Sequence, residues 1–480
     1  MIEDPPIEDA VEVVLTALPC SVTLPAGAGK TELIAATAAE VAQRDGISLV
    51  LTHTHAGVDA LRRRMSKYGV GHDQVIVRTI DSWSYDLIVH FPELAEYAVG
   101  AEPDWGNSSE YHRAAARAAR TRAVQKMLKV SYTNLFIDEY QDCLIDQHAL
   151  VVALSETIPT AVFGDPLQSL FNFKSNKPVD WGSDVVPLFP MVEVKSRPRR
   201  WDPDHQALGR WLVDIRRNLL DGMSIDLAST PVRWIQRHDF QTYIGVCYSA
   251  LQRDGTIAVL GKFRHDCVSA AGSLGGTYTV MEALDSQVPA SLAEKIDTED
   301  GATIAQAVVE FAVNCSVGLA NHIASQKRRQ LGDGRSFGTR SEILKPAYEA
   351  VHKMRAEPTP IAVRIALEHL GNLPKVSIHC REAWDEVIRA VSVASSEECT
   401  VSEALLTVRN HTRRVGRRPA TRVVTRPLLV KGLEYDHVII LNPERYSAQE
   451  LYVALTRGSK SVTVISDTSV LPAAKIAAGN

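Results

Sequence analysis

The sequence has few cysteines, no excess of positive charge and no long apolar run. Its 7 cysteines are scattered without a Cys-x-x-Cys pair, which argues against zinc ligands and disulfides and favours reduced thiols in a cytoplasmic protein. The formal net charge is -5, so any nucleic-acid surface must be a local patch. No apolar run is long enough to span a membrane, and the acidic start, Met1-Ile2-Glu3-Asp4, lacks the pattern of a signal peptide.

The composition is that of a folded protein with more than one core. Hydrophobic residues make up 45% and charged residues 23% of the sequence, which is ordinary for globular domains and too apolar for a disordered chain. A chain of 480 residues exceeds the size that one hydrophobic core supports. The length therefore predicts about two to four domains.

A glycine-rich loop lies between a predicted strand, Cys20–Leu24, and a helix rich in Ala and Leu. Backbone N–H groups of such a loop cradle phosphate oxygens, and the helix N-terminus favours negative charge. Lys30 would reach the β and γ phosphates, and Thr31 would place its hydroxyl on Mg²⁺. The usual first glycine is replaced by Leu24. The candidate nucleotide-binding residues are Ala26, Gly27, Ala28, Gly29, Lys30, Thr31 and Glu32.

Two adjacent carboxylates follow a short apolar strand, Leu135–Ile137. Ligands of open α/β sheets bind at the carboxyl ends of the strands, so Asp138 and Glu139 would lie at that edge. Asp138 would hold Mg²⁺, and Glu139 would take a proton from the attacking water. For an acid pair alone, a strand ending in a solvated acidic turn would be the better interpretation, but the phosphate loop upstream favours catalysis.

Polar and aromatic residues follow three further predicted strands, Leu49–Leu51, Val75–Val77 and Ala161–Phe163. Thr52 and His53 suit the phosphates of a polynucleotide, with a polar helix cap as the alternative. Gln168 suits a γ-phosphate or an attacking water. Phe171 and Phe173 are candidates to stack on bases, with core packing as the alternative.

Two arginines and three predicted elements complete the analysis of the residues. Arg200, near the start of a predicted helix, would reach phosphate from a second domain. Arg457, at the end of a helical turn, would project across a cleft and neutralise the transferring phosphoryl group. Residues Glu110–Val130 are predicted to form one helix with a basic stripe, either a solvated face or a phosphate contact. Residues Ile257–Leu260 are predicted to form a strand, and Ser269–Lys375 to be helical, without clear strands.

The sequence motifs, in chain order, are the glycine loop, Thr52–Ala56, Thr79–Trp83, Asp138–Asp142, Gly164–Phe171, Lys431–Asp436 and Leu451–Gly458. In this order they resemble the motifs of superfamily-one helicases of the UvrD/Rep type. The resemblance implies two RecA-like domains with ATP and Mg²⁺ between them, and movement along single-stranded or partly duplex DNA. It implies that Glu434 contacts the ribose and that Thr79 joins Thr52, His53, Phe171 and Phe173 along the DNA path. No Gln precedes Lys30, where the family usually has one that reads adenine.

The predicted fold class is α/β, with two RecA-like P-loop domains, each a parallel sheet flanked by helices and interrupted by a helical insertion. The expected domains are residues 1–83 with 131–190, insertion 84–130, residues 191–268 with 376–480, and insertion 269–375. Hydrolysis would be catalysed by Glu139, Gln168, Arg457 and Arg200, and stimulated by DNA.

The compact size and reduced insertion leave a second function open. They resemble the helicase-like subunit of Gabija-type anti-phage systems. Such a subunit would sense nucleotide and DNA, and would regulate a partner nuclease with little or no unwinding. A small-molecule kinase with the same glycine loop would not explain Lys431–Asp436 or Leu451–Arg457.

Overall fold

The computed structural model describes residues 6–100, 103–170, 177–195, 198–201, 203–283, 286–415 and 420–472. The chain divides into two compact units. The first comprises the chain up to Pro231, Tyr446–Ser459 and the segment from Val470; the second comprises Val232–Arg445 and Lys460–Ser469.

The first unit contains most of the elements of the N-terminal half. They are α1 (Ile7–Thr16), β1 (Cys20–Thr23), α2 (Lys30–Gln43), β2 (Ser48–Thr52), α3 (His55–Lys67), β3 (Val75–Thr79), α4 (Ile80–His90), α5 (Pro92–Ala95), α6 (Ser108–Ala119), α7 (Arg122–Ser131), β4 (Asn134–Ile137), α8 (Ile145–Ser155), β5 (Thr160–Gly164), β6 (Met191–Val192), α9 (Gln206–Leu220) and β7 (Ile225–Asp226).

The second unit follows, and the chain then returns to the first. The elements of this part are β8 (Arg233–Gln236), α10 (Phe240–Ala250), β9 (Ile257–Leu260), α11 (Arg264–Ser273), β10 (Thr279–Val280), α12 (Gln287–Thr298), α13 (Gly301–Cys315), β11 (Ser316–Val317), α14 (Leu319–His322), α15 (Ser325–Gly332), α16 (Lys345–Ala356), α17 (Pro360–Gly371), β12 (Ser377–Ile378), α18 (Arg381–Glu397), α19 (Val401–Val415), β13 (Arg422–Thr425), β14 (Tyr435–Leu441), α20 (Ala448–Leu455), β15 (Gly458–Ser466) and β16 (Val470–Leu471). Helix α20 and strand β16 belong to the first unit.

Among the described residues, the main sheet of the first unit has six parallel strands in the order β3-β2-β4-β5-β1-β6. Helices cover both faces of this sheet. Successive residues of one strand point to opposite faces and therefore pack in two different hydrophobic clusters. Val50 and Phe136 pack with α1, α2 and α3, whereas Leu49 and Leu51 pack with α4, α6 and α8. Parallel strands buried on both faces read as continuous apolar runs, which is how these strands were recognisable.

The second unit has its own sheet, with the order β10-β13-β9-β14-β15-β8 among the described residues. Its strands share one hydrophobic cluster with the helices that follow β10, so Val259 and Ile439 pack in the same core as Val309 and Val391. The two sheets, flanked by helices, confirm the predicted fold class of two RecA-like α/β domains.

Two secondary-structure predictions were wrong. Residues Glu110–Val130 contain most of α6 and most of α7 rather than one helix, because Thr121 adopts an extended conformation between them. The stretch from Ser269 to Lys375 contains the short strands β10 and β11, each paired by only two residues. Strands this short give too little periodicity to be recognised in a helical context.

The basic stripe of α6 and α7 is partly neutralised by carboxylates. Arg113 pairs with Glu110 and with Asp146 of α8, and Arg120 pairs with Glu156. These contacts favour the interpretation of a charged surface face over that of a phosphate contact. Among the described residues, no helix has the length and apolarity needed to cross a membrane.

Candidate nucleotide site

The carboxyl ends of the parallel strands bring the predicted residues of the first unit to one edge of the sheet. Thr52 and Thr79 are register partners at the ends of β2 and β3. The N–H of Asp138 donates to the carbonyl of Leu51 at 2.9 Å, so the acid pair begins beside the end of β2. Strands β4, β5 and β1 are neighbours in the same parallel sheet, so the loops that follow them also lie together at this edge.

The phosphate loop joins β1 to α2 through two glycines in left-handed conformations. Gly27 has φ 72° and Gly29 has φ 85°, which residues with a Cβ rarely adopt. A Cβ on Gly27 would lie 2.8 Å from Trp201 Cζ3 and 2.9 Å from Arg200 Cβ. The loop thus needs glycine at residue 27 both for its backbone conformation and for space.

Lys30, the first residue of α2, contacts both members of the acid pair. Its Nζ lies 2.7 Å from Glu139 Oε1 and 3.7 Å from Asp138 Oδ1. Burial alone would lower the pKa of Lys30, but the charges of Glu139 and Asp138 outweigh burial and raise it. Burial raises the pKa of Asp138 to about 6, although Lys30 opposes this shift. We call Lys30, Asp138 and Glu139 the phosphate cluster.

The backbone of Glu139 has φ 55°, which is unusual for a residue other than glycine. Its side chain accepts a hydrogen bond from Gln141 Nε2, and Gln141 Oε1 in turn accepts from the N–H of Asp165 at 2.9 Å. Gly164 leaves room for this amide, since a Cβ there would lie 2.6 Å from Gln141 Oε1. Gln141 therefore connects the acid pair to the loop after β5.

A second charged group follows β5. Asp165 is fully buried, and its Oδ1 accepts two hydrogen bonds from Arg216 of α9, at 3.1 and 3.3 Å. Its Oδ2 accepts from Gln168 Nε2 at 3.0 Å, and Gln168 Oε1 accepts from Arg457 Nη2 at 3.4 Å. We call Arg216, Asp165, Gln168 and Arg457 the glutamine relay.

Arg457 does not project from the end of α20. Its side chain is 1% exposed and folds back, so that Nε donates to the carbonyl of Val453 at 3.0 Å. Its Nη2 also donates to Thr456 Oγ1 at 2.9 Å. The arginine expected to reach across a cleft is thus held inside the first unit, beside Gln168.

Helix α20 and the residues after it also hold the segment around Arg200. Arg200 Nη1 donates to the carbonyl of Thr456 at 2.8 Å, and Trp201 Nε1 donates to that of Gly458 at 2.8 Å. The N–H of Ala26, in the phosphate loop, donates to Tyr452 Oη at 3.1 Å. The same short helix therefore contacts the phosphate loop and presents Arg457 to Gln168.

Two acidic residues were also predicted for nucleotide binding. Glu32 accepts hydrogen bonds from Arg64 of α3 and, at 2.8 Å, from Tyr68, so its carboxylate faces the neighbouring helix. Glu434 is exposed, belongs to the second unit and immediately precedes β14. The roles expected for both residues stay predictions.

Among the residues predicted for the DNA path, Thr79 and His53 have local contacts and Thr52 is buried. Thr79 is the N-cap of α4, where its Oγ1 accepts from the N–H of Ser82 at 3.1 Å. Thr52 is 2% exposed, and His53 Nε2 lies 3.6 Å from Cys143 Sγ. Phe171 and Phe173 lie outside the described residues.

The donor atoms present suit Mg²⁺. The ion prefers hard oxygen ligands and usually takes only one or two protein carboxylates beside phosphates and water. Asp138 supplies a carboxylate next to Lys30, and Thr31 supplies a hydroxyl in the first turn of α2. Among the described residues, no group of three or more His, Cys, Asp or Glu side chains is arranged to hold a metal ion.

Four residues of this site carried no individual role in the sequence-based prediction: Gln141, Asp165, Arg216 and Tyr452. Three of them fall inside the recognised motifs, so the motif boundaries already pointed to them. Arg216 lies in the middle of α9, at a position that only the three-dimensional contact with Asp165 identifies.

One protein-family model matches the N-terminal part of the chain. Residues 8–174 match the family model of an AAA domain. This stretch contains the phosphate loop, the acid pair and Gln168. No curated protein sequence matches the chain.

Two helicases are among the solved structures to which this chain is similar. One is nonstructural protein 10, the helicase of an arterivirus, in complex with DNA; it shows 9% identity and a TM-score of 0.36, covering 95% of this chain and 63% of that one. Another is the Pif1 helicase from Candida albicans, with 14% identity and a TM-score of 0.32, covering 59% of this chain and 56% of that one. This chain therefore spans less than two thirds of either protein.

Proposed function

We propose that this protein hydrolyses ATP and uses the energy to move along single-stranded DNA, as a translocase or helicase of the UvrD/Rep type. The observation that carries the proposal is the contact of Lys30 Nζ with Glu139 and Asp138, at 2.7 and 3.7 Å, at the end of a phosphate loop. A lysine and two carboxylates at this edge of a parallel sheet suit a nucleoside triphosphate better than any other common ligand. The helicase motifs in the sequence support the coupling to DNA.

In this proposal the residues of the first unit divide the chemistry. The N–H groups of the phosphate loop and Lys30 bind the β and γ phosphates, and Thr31 and Asp138 hold Mg²⁺. The ion, when bound, supplies positive charge to the phosphates. When phosphate binds, it replaces Glu139 as the partner of Lys30. The carboxylate of Glu139 is then available to accept the proton of the attacking water.

Gln168 and Arg457, which belong to the glutamine relay, act on the same reaction as the phosphate cluster. Gln168 orients the attacking water, and Arg457 stabilises charge that develops on the γ-phosphoryl group. Arg200 holds the carbonyl of Thr456, beside Arg457, and so positions the end of α20. Thr52, His53 and Thr79 are proposed to contact the DNA backbone at the adjoining strand ends.

The test is a phosphate-release assay of the purified full chain with each of four nucleoside triphosphates, with and without single-stranded DNA. We expect ATP hydrolysis that DNA stimulates, and that Lys30→Ala abolishes. Arg44→Ala, at the exposed end of the same helix, is the matched control for loss of a positive charge. Absence of nucleotide hydrolysis in the wild type would overturn the proposal.

A different result would favour a regulatory subunit. If hydrolysis is indifferent to DNA while both ATP and DNA bind, the protein is better explained as a nucleotide and DNA sensor. Such a sensor would act in an anti-phage complex that contains a nuclease. Co-purification of this chain with a nuclease from its native cells would then identify the complex.

A further inference from the structure

Asp165 is the most enclosed charge of the first unit. The residue is 0% exposed, so its carboxylate cannot be stabilised by water. Its Oδ1 accepts from Arg216 Nε, from Arg216 Nη2 and from the N–H of Leu167. Its Oδ2 accepts from Gln168 Nε2 at 3.0 Å. Arg216 supplies the positive charge in direct contact with this carboxylate, at 3.1 Å.

These neighbours determine which way the amide of Gln168 points. An ionised carboxylate only accepts hydrogen bonds, so the amide must turn its NH₂ toward Asp165. A guanidinium only donates, so the amide must turn its oxygen toward Arg457, where the distance is 3.4 Å. Asp165 and Arg457 therefore require the same orientation, from opposite sides of one side chain.

We propose that Arg216 is a positioning residue for ATP hydrolysis, which fixes the amide orientation of Gln168 by holding the Asp165 carboxylate in place. This inference rests on the proposed function and extends it to a helix that carries no helicase motif. The side chain of Arg216 is mostly buried, with 19% exposed, and lies on the face of α9 that also buries Leu212 and Ile215. This face is turned toward Asp165, which Arg216 contacts. Arg216 acts through Asp165.

Loss of Arg216 has a predictable chemical consequence. A buried carboxylate without its partner is strongly unfavourable, so the side chain of Asp165 would turn toward other donors or toward water. An Asp165 carboxylate that leaves its present position no longer dictates the orientation of the Gln168 amide. A flipped Gln168 would direct its NH₂ at the guanidinium of Arg457, donor against donor.

The experiment measures steady-state ATP hydrolysis and thermal unfolding of the full chain with four variants: Arg216→Met, Arg216→Lys, Asp165→Asn and the double variant R216M/D165N. The matched control is Arg217→Met, because Arg217 is the next residue on the same helix and its side chain is 86% exposed. Arg216→Met should lower kcat by about 10- to 100-fold and change the KM for ATP by less than about threefold. Arg216→Lys should recover part of this loss, since it keeps the charge.

The double variant separates positioning from stability. Removing both members of a buried ion pair leaves no uncompensated charge, so its Tm should return close to that of the wild type. Its kcat should stay low, because the neutral amide that D165N introduces both donates and accepts and does not fix the orientation of Gln168. A double variant that regains both Tm and kcat would show that the pair only stabilises the fold, and the inference would be overturned.

Coupling to Gln168 gives an independent readout. If Arg216 acts by fixing the orientation of Gln168, then Arg216→Met added to Gln168→Ala should cause almost no further loss of kcat. Additive losses would overturn the inference even where the wild type is an active ATPase. An inactive wild type would instead overturn the proposed function, and this inference with it.

Discussion

The phosphate cluster and the glutamine relay lie at the same edge of one sheet, yet they are enclosed to different degrees. In the phosphate cluster, the side chain of Lys30 is 10% exposed and that of Glu139 is 32% exposed. In the relay, Asp165 is 0% and Arg457 1% exposed, although the side chain of Arg216 is 19% exposed. A partly exposed carboxylate such as Glu139 exchanges its partner readily, whereas a fully enclosed one such as Asp165 is costly to leave unpaired. The first group is suited to release its contacts to a ligand, and the second to keep them.

The largest effect that this comparison predicts is a loss of ATP turnover when a residue of the phosphate cluster is changed. Glu139→Gln should reduce ATP turnover by about 10²- to 10⁴-fold, because the amide cannot accept a proton from water. Binding should persist, since Lys30 and the loop remain. Phosphate release and equilibrium binding of a fluorescent ATP analogue measure the two effects separately.

Glu40→Gln is the control for this variant, because Glu40 lies on α2 and its carboxylate pairs with the exposed Arg44 at the end of that helix. Near-normal turnover in Glu139→Gln would remove Glu139 from the role of general base. Glu139 would then be a partner of Lys30 only.

The next effect concerns the relay. Arg457→Ala should slow hydrolysis by about 10²- to 10³-fold with little change in nucleotide affinity. Because its Nε donor to Val453 is also lost, the Tm should fall, which a variant of an exposed cluster residue would not cause. Single-turnover hydrolysis with a parallel binding assay measures both. Weakened binding with intact turnover would reassign Arg457 to substrate binding.

A third prediction tests how tightly the phosphate loop is packed. Gly27→Ala should destabilise the first unit by about 1–3 kcal/mol more than Gly69→Ala. Both glycines have nearly equal φ, 72° and 73°, but a Cβ at Gly69 would meet nothing within 4 Å. The difference therefore isolates the clash with Trp201 from backbone strain. Urea unfolding of both variants measures it, and equal midpoints would contradict the packing.

The smallest effect is expected for Tyr452→Phe. The variant keeps the ring, which is 1% exposed, and leaves the N–H of Ala26 without the hydroxyl that accepts from it. The expected cost is about 1 kcal/mol of stability and a few-fold rise in the KM for ATP. A fall in kcat at unchanged KM would instead indicate that Tyr452 acts in hydrolysis, together with the glutamine relay, and not in nucleotide binding.

The motifs and the apolar strands predicted much of this arrangement. Strand β9 was predicted with its observed bounds, and Asp138 follows β4 as expected because a continuous apolar run marks a strand buried on both faces. The partner of Gln168 and the direction of Arg457 could not be predicted in this way. Both depend on contacts between residues 168 and 457, which are far apart along the chain.

A local pattern also misled at one polar residue. Thr121 has an extended backbone that separates α6 from α7, although nothing in the sequence distinguishes it from a residue that continues the helix. Arg216 illustrates the opposite case. One arginine among several on α9 acquires a partner only through the tertiary structure.

The return of Tyr446–Ser459 to the first unit has a consequence for synthesis of the protein. Trp201, Arg200 and Ala26 all find partners in this late segment, so a fragment ending at Pro231 would expose them. During translation the first unit cannot acquire α20 until more than two hundred further residues have emerged, as the interval from Val232 to Arg445 requires. Arg457 therefore joins Gln168 only near the end of synthesis, and the nascent N-terminal part stays without its last helix until then.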